Sequence, residues 1–203
     1  MRAYAAASST TASYTAILNA ATAGVTDKPA RSTTENYRDL LSQIRVLDPV
    51  PAWTAALTPM PRLKVAPKHQ LVDPAIAARL LGLDAHGLLG GIPGAGESLG
   101  QLFESLATLC VRADAISVDA AVGHLRTRNG DHEVDLVVED PEARVVGIEV
   151  KLAREVEDRD VQHLCWLRDR IGERFAAGVV LTTGPYAYQR PDGIWVVPLA
   201  LFG

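Results

Sequence analysis

A chain of 203 residues is long enough for one domain, or two small ones, with a self-supporting core. Its 48% hydrophobic and 22% charged residues are those of an ordinary water-soluble fold; no apolar run approaches the ~20 residues of a membrane helix, and MRAYAAASSTTASY lacks the continuous apolar stretch of a secretory signal. The net charge of −4 hides an asymmetry, since residues 1–68 hold eight Lys/Arg against four Asp/Glu and residues 69–203 hold twelve against twenty. A basic first third points to an anionic partner, and an acidic remainder suits cation binding. Only Cys110 and Cys165 occur, each inside an apolar helical pattern, as expected of reduced thiols in a cytoplasmic protein.

Residues 2–26 hold two short helical patterns, RAYAAAS and SYTAILNAATAG, the second ending at Gly24. DKPAR is a basic turn. Ser32-Thr33-Thr34-Glu35 then reads as a capping box opening the helix STTENYRDLLSQI. Tyr37, Leu40, Leu41 and Ile44 have core spacing on it, and Thr33, Thr34, Asn36, Arg38 and Gln43 face outward. An extended pair, IRVLDPVPAW and RLKVAPKHQLV, follows. Three short helices and an extended pair fit a winged helix-turn-helix, and equally a small helical cap packed on a sheet. Under the first reading Arg31, Thr33, Thr34 and Arg38 of the third helix, with Lys64 and Lys68 of the hairpin, meet DNA. His69 and His86 are expected on loops and surfaces.

Asp73-Pro74 is a helix start, and AIAARLLGL runs from it to Gly82. The stretch GLLGGIPGAGESLG contains no Gly-Lys-Ser/Thr and so cannot be a nucleotide phosphate cradle. It reads as a linker, residues 83–97, between a domain of residues 1–82 and a second of residues 98–203. A long helix from Glu97 to about Ala113 is expected to bury Leu99, Leu102, Phe103, Leu106, Leu109 and Cys110, with Glu104 at the margin. AISVDAAVGHLRT reads as a strand region and Asn129-Gly130 as a hairpin turn. EVDLVVE and VVGIEVKL then alternate with the period of two of half-buried strands. A hairpin closed through Pro141 puts Asp135 beside Glu149, with Lys151 two residues along the same face. A helix from about Asp158 to Gly172 turns Val161, Leu164, Cys165 and Ile171 inward and exposes Arg168 and Arg170, with Arg174 exposed just beyond it; AAGVVLTTG and GIWVVPLALF are the last strands. The order gives an α/β sheet covered by helices on both faces.

Two carboxylates and an ammonium at one spot hold a divalent cation and orient a water; the same three groups also make a salt-bridged network with no metal. Glu104 on a helix, Asp135 on a strand and Glu149-Val150-Lys151 on the next resemble the PD-(D/E)xK nuclease-like core, with Val134 where the motif's name has Pro. The resemblance implies a restriction-endonuclease-like mixed sheet flanked by helices. It also implies that Asp135 and Glu149 hold Mg²⁺, that Lys151 positions or polarises the attacking water, and that Glu104 is an accessory carboxylate. YRDLLSQIRVLDPVPAW, RLKVAPKHQLVDPAIAARLLGL, LGQLFESL, RTRNGDHEVDLVVE and VVGIEVKLAREV are similar to the C-terminal half of a bacterial and archaeal family of AAA-type ATPases. In that family a winged-helix segment joins a nuclease-like domain of unknown function. No Walker A motif occurs in this chain, so ATP hydrolysis is not carried over. The expectation is a DNA-associated, Mg²⁺-dependent phosphodiesterase, or alternatively a non-catalytic DNA-binding or adaptor protein. The expected partners are DNA and either a second copy of the chain or a separately encoded ATPase. A histidine hydrolase finds no support, because His124, His132 and His163 lack a nucleophile–base pairing in the sequence.

Overall fold

Two compact units emerge in the computed structural model, which describes residues 1–24, 26, 29–54, 66–91 and 93–202. The first comprises Met1–Val50 and Ala66–Leu106, the second Pro51–Val65 and Ala107–Gly203.

In the first unit local chemistry places the helix ends. The Ser13 hydroxyl accepts the Ala16 N–H at 3.1 Å and opens α2 (Tyr14–Ala21), which follows the short α1 (Arg2–Ala5). Asp73 caps α4 (Pro74–Leu81) through the Ala75 N–H at 2.7 Å, and Gly82 closes it at φ 75°. The stretch expected to be a linker holds a further helix, α5 (Ala85–Leu89), capped by Asp84. The helix between α2 and α4, α3 (Arg31–Gln43), departs from expectation at its start. Its N-cap is Ala30, with no side-chain cap. The Ser32 capping box does not form, because Glu35 is taken by Arg31 at 2.9 Å, one turn back on the same face. Nor do Tyr37, Leu40 and Ile44 reach the core: they are 61, 56 and 68% exposed. The core is Tyr4, Ala5, Leu47, Leu71 and Ala77, and α3 adds only the partly buried Leu41. The extended pair makes two isolated antiparallel bridges, Leu47–Leu71 and Val50–Lys68. Residues 55–65, with Lys64 and the start of the second extended segment, lie outside the described residues, as do Asp27 and Lys28 of the basic turn.

The unit boundary falls within α6 (Ala95–Ser117), which runs about one turn beyond the expected end. Its buried residues are Ser105, Ala107, Thr108, Val111 and Ala115, whereas Leu106 and Leu109 are 41 and 38% exposed. The expected stripe is therefore rotated: small side chains point inward, where they allow closer packing than leucines.

In the second unit the strands are β1 (Ala121–Arg126), β2 (Glu133–Glu139), β3 (Val145–Val150), β4 (Phe175–Thr182), β5 (Tyr188–Gln189) and β6 (Trp195–Pro198), in the sheet order β1-β2-β3-β4-β6-β5. The first three are antiparallel neighbours, β4 and β6 run parallel to β3, and β5 is antiparallel at the end. The β1–β2 connection spans residues 127–132 and carries Gly130 at φ 77°, but Asn129 is not in the positive-φ region, so the expected tight Asn-Gly turn gives way to a longer one. The crossover from β3 to β4 is α7 (Asp158–Ile171), opened by a capping box of Glu157 and Asp160. It buries Val161, Leu164, Leu167 and Ile171. Leu167 takes the inward place expected for Cys165, which is half-buried. Helix and sheet approach closely because Gly147 and Gly178 are paired across β3 and β4. A Cβ on Gly147 would sit 3.0 Å from Leu164 Cδ2 and 3.2 Å from Leu167 Cδ2. Arg174 is not free on the surface as expected. It donates to the Glu139 carboxylate at 2.6 Å and the Ala143 carbonyl at 2.9 Å. Glu139 also accepts the Trp53 indole N–H. Beside β1 the Trp53 N–H donates to the His124 carbonyl at 2.7 Å, and the His124 N–H to the Pro51 carbonyl at 2.9 Å. Gly123 makes room there, since a Cβ would lie 2.9 Å from Trp53 Cβ. No helix among the described residues is long and apolar enough to cross a membrane.

Candidate functional site

The β2–β3 pairing ends at Leu136–Ile148, and Asp135 follows where β2 bulges opposite β1, between Val137 and Val134. Alternation along β3 puts Glu149 on the sheet face of Gly147, the one α7 covers. Asp135 accepts the Val150 N–H at 3.0 Å. Glu149 is 4% exposed, and its Oε2 lies 3.4 Å from Lys151 Nζ. The Lys151 N–H continues the pairing to the Leu181 carbonyl at 2.9 Å, which keeps its side chain on this face. Burial disfavours the Lys151 ammonium, yet Glu149 and Asp135, with Asp160 of α7, outweigh it and hold its pKa above the ordinary lysine value. Lys151 is thus a fixed cation at neutral pH and not a proton acceptor.

The donor set can be tested against Mg²⁺. Among the described residues no group of three or more His, Cys, Asp and Glu side chains gathers as a metal cage. Mg²⁺ needs no such cage: one or two carboxylates hold it, and waters and phosphate oxygens complete its octahedron. Asp135 and Glu149 fit that use, and do not fit the four-ligand closed site of a structural zinc.

The other expected residues, Lys64 aside, belong to the first unit. Glu104 is on α6 in the first unit, and Lys68 Nζ holds it at 2.9 Å. The Lys68 side chain is only 2% exposed, so it is placed as a buried partner of Glu104 and not as a surface contact for DNA. Arg31 is occupied with Glu35, Thr33 is exposed, and the Thr34 hydroxyl turns back to the Arg31 carbonyl at 2.7 Å. Arg38 lies 4.4 Å over the Tyr14 ring and donates to Asp39 at 3.0 Å. Lys64 is outside the described residues. On α3, then, each arginine has an acidic neighbour, and Tyr37, Leu40 and Ile44 dominate the outward face.

His69, expected at the surface, is 1% exposed. Its Nε2 lies 2.7 Å from the Ala12 carbonyl, and the Tyr4 and Tyr14 rings meet it edge-on at 5.0 and 4.9 Å. Burial lowers its pKa, against the raising effect of that hydrogen bond. The sequence reading also missed a histidine pair in the second unit. His132 Nδ1 is 3.3 Å from His163 Nδ1, and the His132 ring stacks on Trp166 with centroids 4.0 Å apart. Burial, then His132 and the Lys151 ammonium, lower the His163 pKa, while Glu133 and Asp135 oppose them. The histidines therefore neighbour the carboxylate–lysine cluster. The available signal was His163 and Trp166 one helical turn apart on α7, but a turn of helix does not name its partner.

A family model described as a domain of unknown function (DUF4143) matches residues 99–202. A second domain of unknown function, DUF8612, matches residues 1–87. No curated protein matches the chain. Among solved structures, the refined half-complex from the tetradecameric assembly of Thermococcus gammatolerans McrB AAA+ hexamers with bound McrC is similar at 12% identity, over 88% of this chain and 64% of that one, with a TM-score of 0.36. The chain thus spans a little under two thirds of that chain's length, and a likeness of this size carries no argument about fold or partners.

Proposed function

The chain belongs to the DUF4143 family of domains of unknown function, and from that premise we propose that it is a DNA-associated, Mg²⁺-dependent phosphodiesterase with its active centre at Asp135, Glu149 and Lys151. One observation carries the reading: Asp135 accepts the backbone N–H of Val150, the residue between Glu149 and Lys151, and the Lys151 ammonium lies 3.4 Å from the Glu149 carboxylate. An antiparallel run of three strands, a crossover helix and a parallel strand is the order expected of a PD-(D/E)xK core and supports it. Asp135 and Glu149 would hold the cation, which when bound supplies Lewis-acid charge to a phosphodiester oxygen. Lys151, kept protonated by its neighbours, donates hydrogen bonds to the attacking water or to a phosphoryl oxygen and offsets the charge that grows there. Val150 fixes Asp135 through its N–H, so the carboxylate is positioned before any cation arrives. Glu104 is left out of this set, because Lys68 engages it.

The test is cleavage of plasmid and oligonucleotide DNA with Mg²⁺ or Mn²⁺, beside calorimetric titration of the same cations. Asp135→Asn and Lys151→Ala are each expected to slow cleavage by roughly a hundredfold or more. Absent cleavage by the unaltered protein, or equal cleavage by Lys151→Ala, overturns the reading. A second reading, a non-catalytic DNA-binding or adaptor protein acting with a separate ATPase or a second copy, is favoured by one observation. The Lys151 ammonium and the Val150 N–H already engage the two carboxylates. Under that reading the cations do not bind, and DNA binding, if retained, falls steeply with salt.

A further inference from the structure

Beside the carboxylate–lysine cluster, where the β1–β2 turn meets α7, lies an open cleft of about 570 Å³ lined by Arg128, Asn129, Asp131, His132, Trp166 and Arg170. Its size is that of a small-ligand site. The His132 ring is stacked face to face on Trp166, 4.0 Å apart and 11° from parallel, a two-ring platform that a further ring can extend only on an outer face. Arg128 and Arg170 line it beside a single aspartate, Asp131, within an acidic unit. A planar ring offers stacking, a guanidinium offers paired N–H groups to phosphate oxygens, and Asn129 offers both a donor and an acceptor.

We propose that this cleft is a nucleotide subsite for single-stranded nucleic acid, with a base stacked on the His132–Trp166 platform and the adjoining phosphates held by Arg128 and Arg170. The subsite is sequence-tolerant, because every base presents a π-face. It opens next to the cluster: His132 Nδ1 is 3.3 Å from His163 Nδ1, and His163 senses Lys151 and Asp135 electrostatically. A strand seated here leads its next phosphodiester towards Asp135, Glu149 and Lys151. That purpose rests on the phosphodiesterase reading, whereas the binding itself does not. A duplex holds its bases stacked inside and cannot offer one to the platform without unpairing, so single strands are preferred.

The experiment is fluorescence anisotropy with labelled 12-mers of dT, of rU and of duplex DNA, in EDTA, so that binding is read without cleavage. Single strands are expected to bind more tightly than the duplex. Trp166→Ala should weaken single-strand binding about tenfold or more. Because Trp166 packs partly against the core, Trp166→Phe is the control for folding and should retain most of the affinity. Arg128→Glu, in an exposed turn, should weaken binding comparably and flatten its salt dependence. No single-strand binding, tighter duplex binding, or undiminished binding by both Trp166→Ala and Arg128→Glu overturns the subsite. Displacement of the 12-mer by AMP at equal nucleotide concentration overturns the strand assignment in favour of a free nucleotide. If the strands bind as described but no cation supports cleavage, the subsite stands and the phosphodiesterase reading falls. If cleavage occurs with both variants binding normally, the reverse holds.

Discussion

Each unit contains a glutamate–lysine pair, and the two pairs differ in what surrounds them. In the first unit Lys68 is 2% and Glu104 17% exposed, at a separation of 2.9 Å. In the second, Glu149 is buried but Lys151 is 34% exposed, at 3.4 Å. The first pair is closed to any ligand, so its charges act on each other and hold the unit together. The second is open at the cationic end and feels another carboxylate, Asp135, as well as its own glutamate, so its charge is available to a third party. A lysine and a glutamate in one cluster are therefore no sign of function by themselves. Access decides.

The largest expected effect breaks the comparison in stability. Lys68→Ala should cost about 3–5 kcal/mol in urea unfolding, because it takes a buried ammonium away from the Glu104 carboxylate in a confined site. Lys151→Ala should cost less, about 1–3 kcal/mol, because it leaves the buried Glu149 but removes an ammonium that is itself 34% exposed and 3.4 Å away. If the two losses are equal, the contrast between the pairs is wrong. The double variant Lys68→Met/Glu104→Leu sharpens it, and should recover most of the loss by replacing the pair with apolar volume.

Next in size is a packing test within the second unit. Gly123→Ala should destabilise by about 1–3 kcal/mol, because its Cβ would meet the Trp53 backbone at 3.0 Å and a backbone has little room to yield. Denaturant midpoints measure it, and the shift should leave single-strand binding in the folded protein unchanged.

A third test uses pH. His69 is held below its ordinary pKa by burial, so the folded protein binds fewer protons than the unfolded chain between the two values. Its contribution is thus complete above the ordinary histidine value of about 6.5 and is lost as pH falls through the folded value. Urea midpoints should drop on acidification below about pH 7, by at most about 1.4 kcal/mol per pH unit for this one group. His69→Gln should flatten that dependence; an unchanged slope would remove His69 as its source. The smallest effect is at the surface, where Arg31→Ala should change stability by about 0.5 kcal/mol or less, since the Arg31–Glu35 pair is exposed.

What the sequence conveyed well was local. EVDLVVE and VVGIEVKL announced two strands by alternation, and they form one antiparallel hairpin. Asp73-Pro74 and Gly82 bounded α4 by their own backbone chemistry. What it did not convey was which way a face points. The spacing of Tyr37, Leu40 and Ile44 puts them on one side of α3, but that side is outward. On α6 the large residues were expected inward, and the small ones are. Periodicity groups residues, and only tertiary packing orients the group. Pairings across distance were equally silent: Lys68 and Glu104 are 36 residues apart, His132 and His163 31 apart. Both were therefore assigned from their neighbours in sequence and not from their neighbours in space.

The short run of chain beside β1 bears on how the protein behaves in concentrated solution. Open sheet borders invite strand-by-strand addition of further molecules, the route to fibres. Here the bonds of Pro51 and Trp53 to His124 occupy the border on one side, and on the other the sheet tapers to the two-residue β5. A sheet pinned at His124 on one margin and shortened at the other gives foreign strands less to template on, so this unit should resist polymerisation better than a sheet with two bare borders.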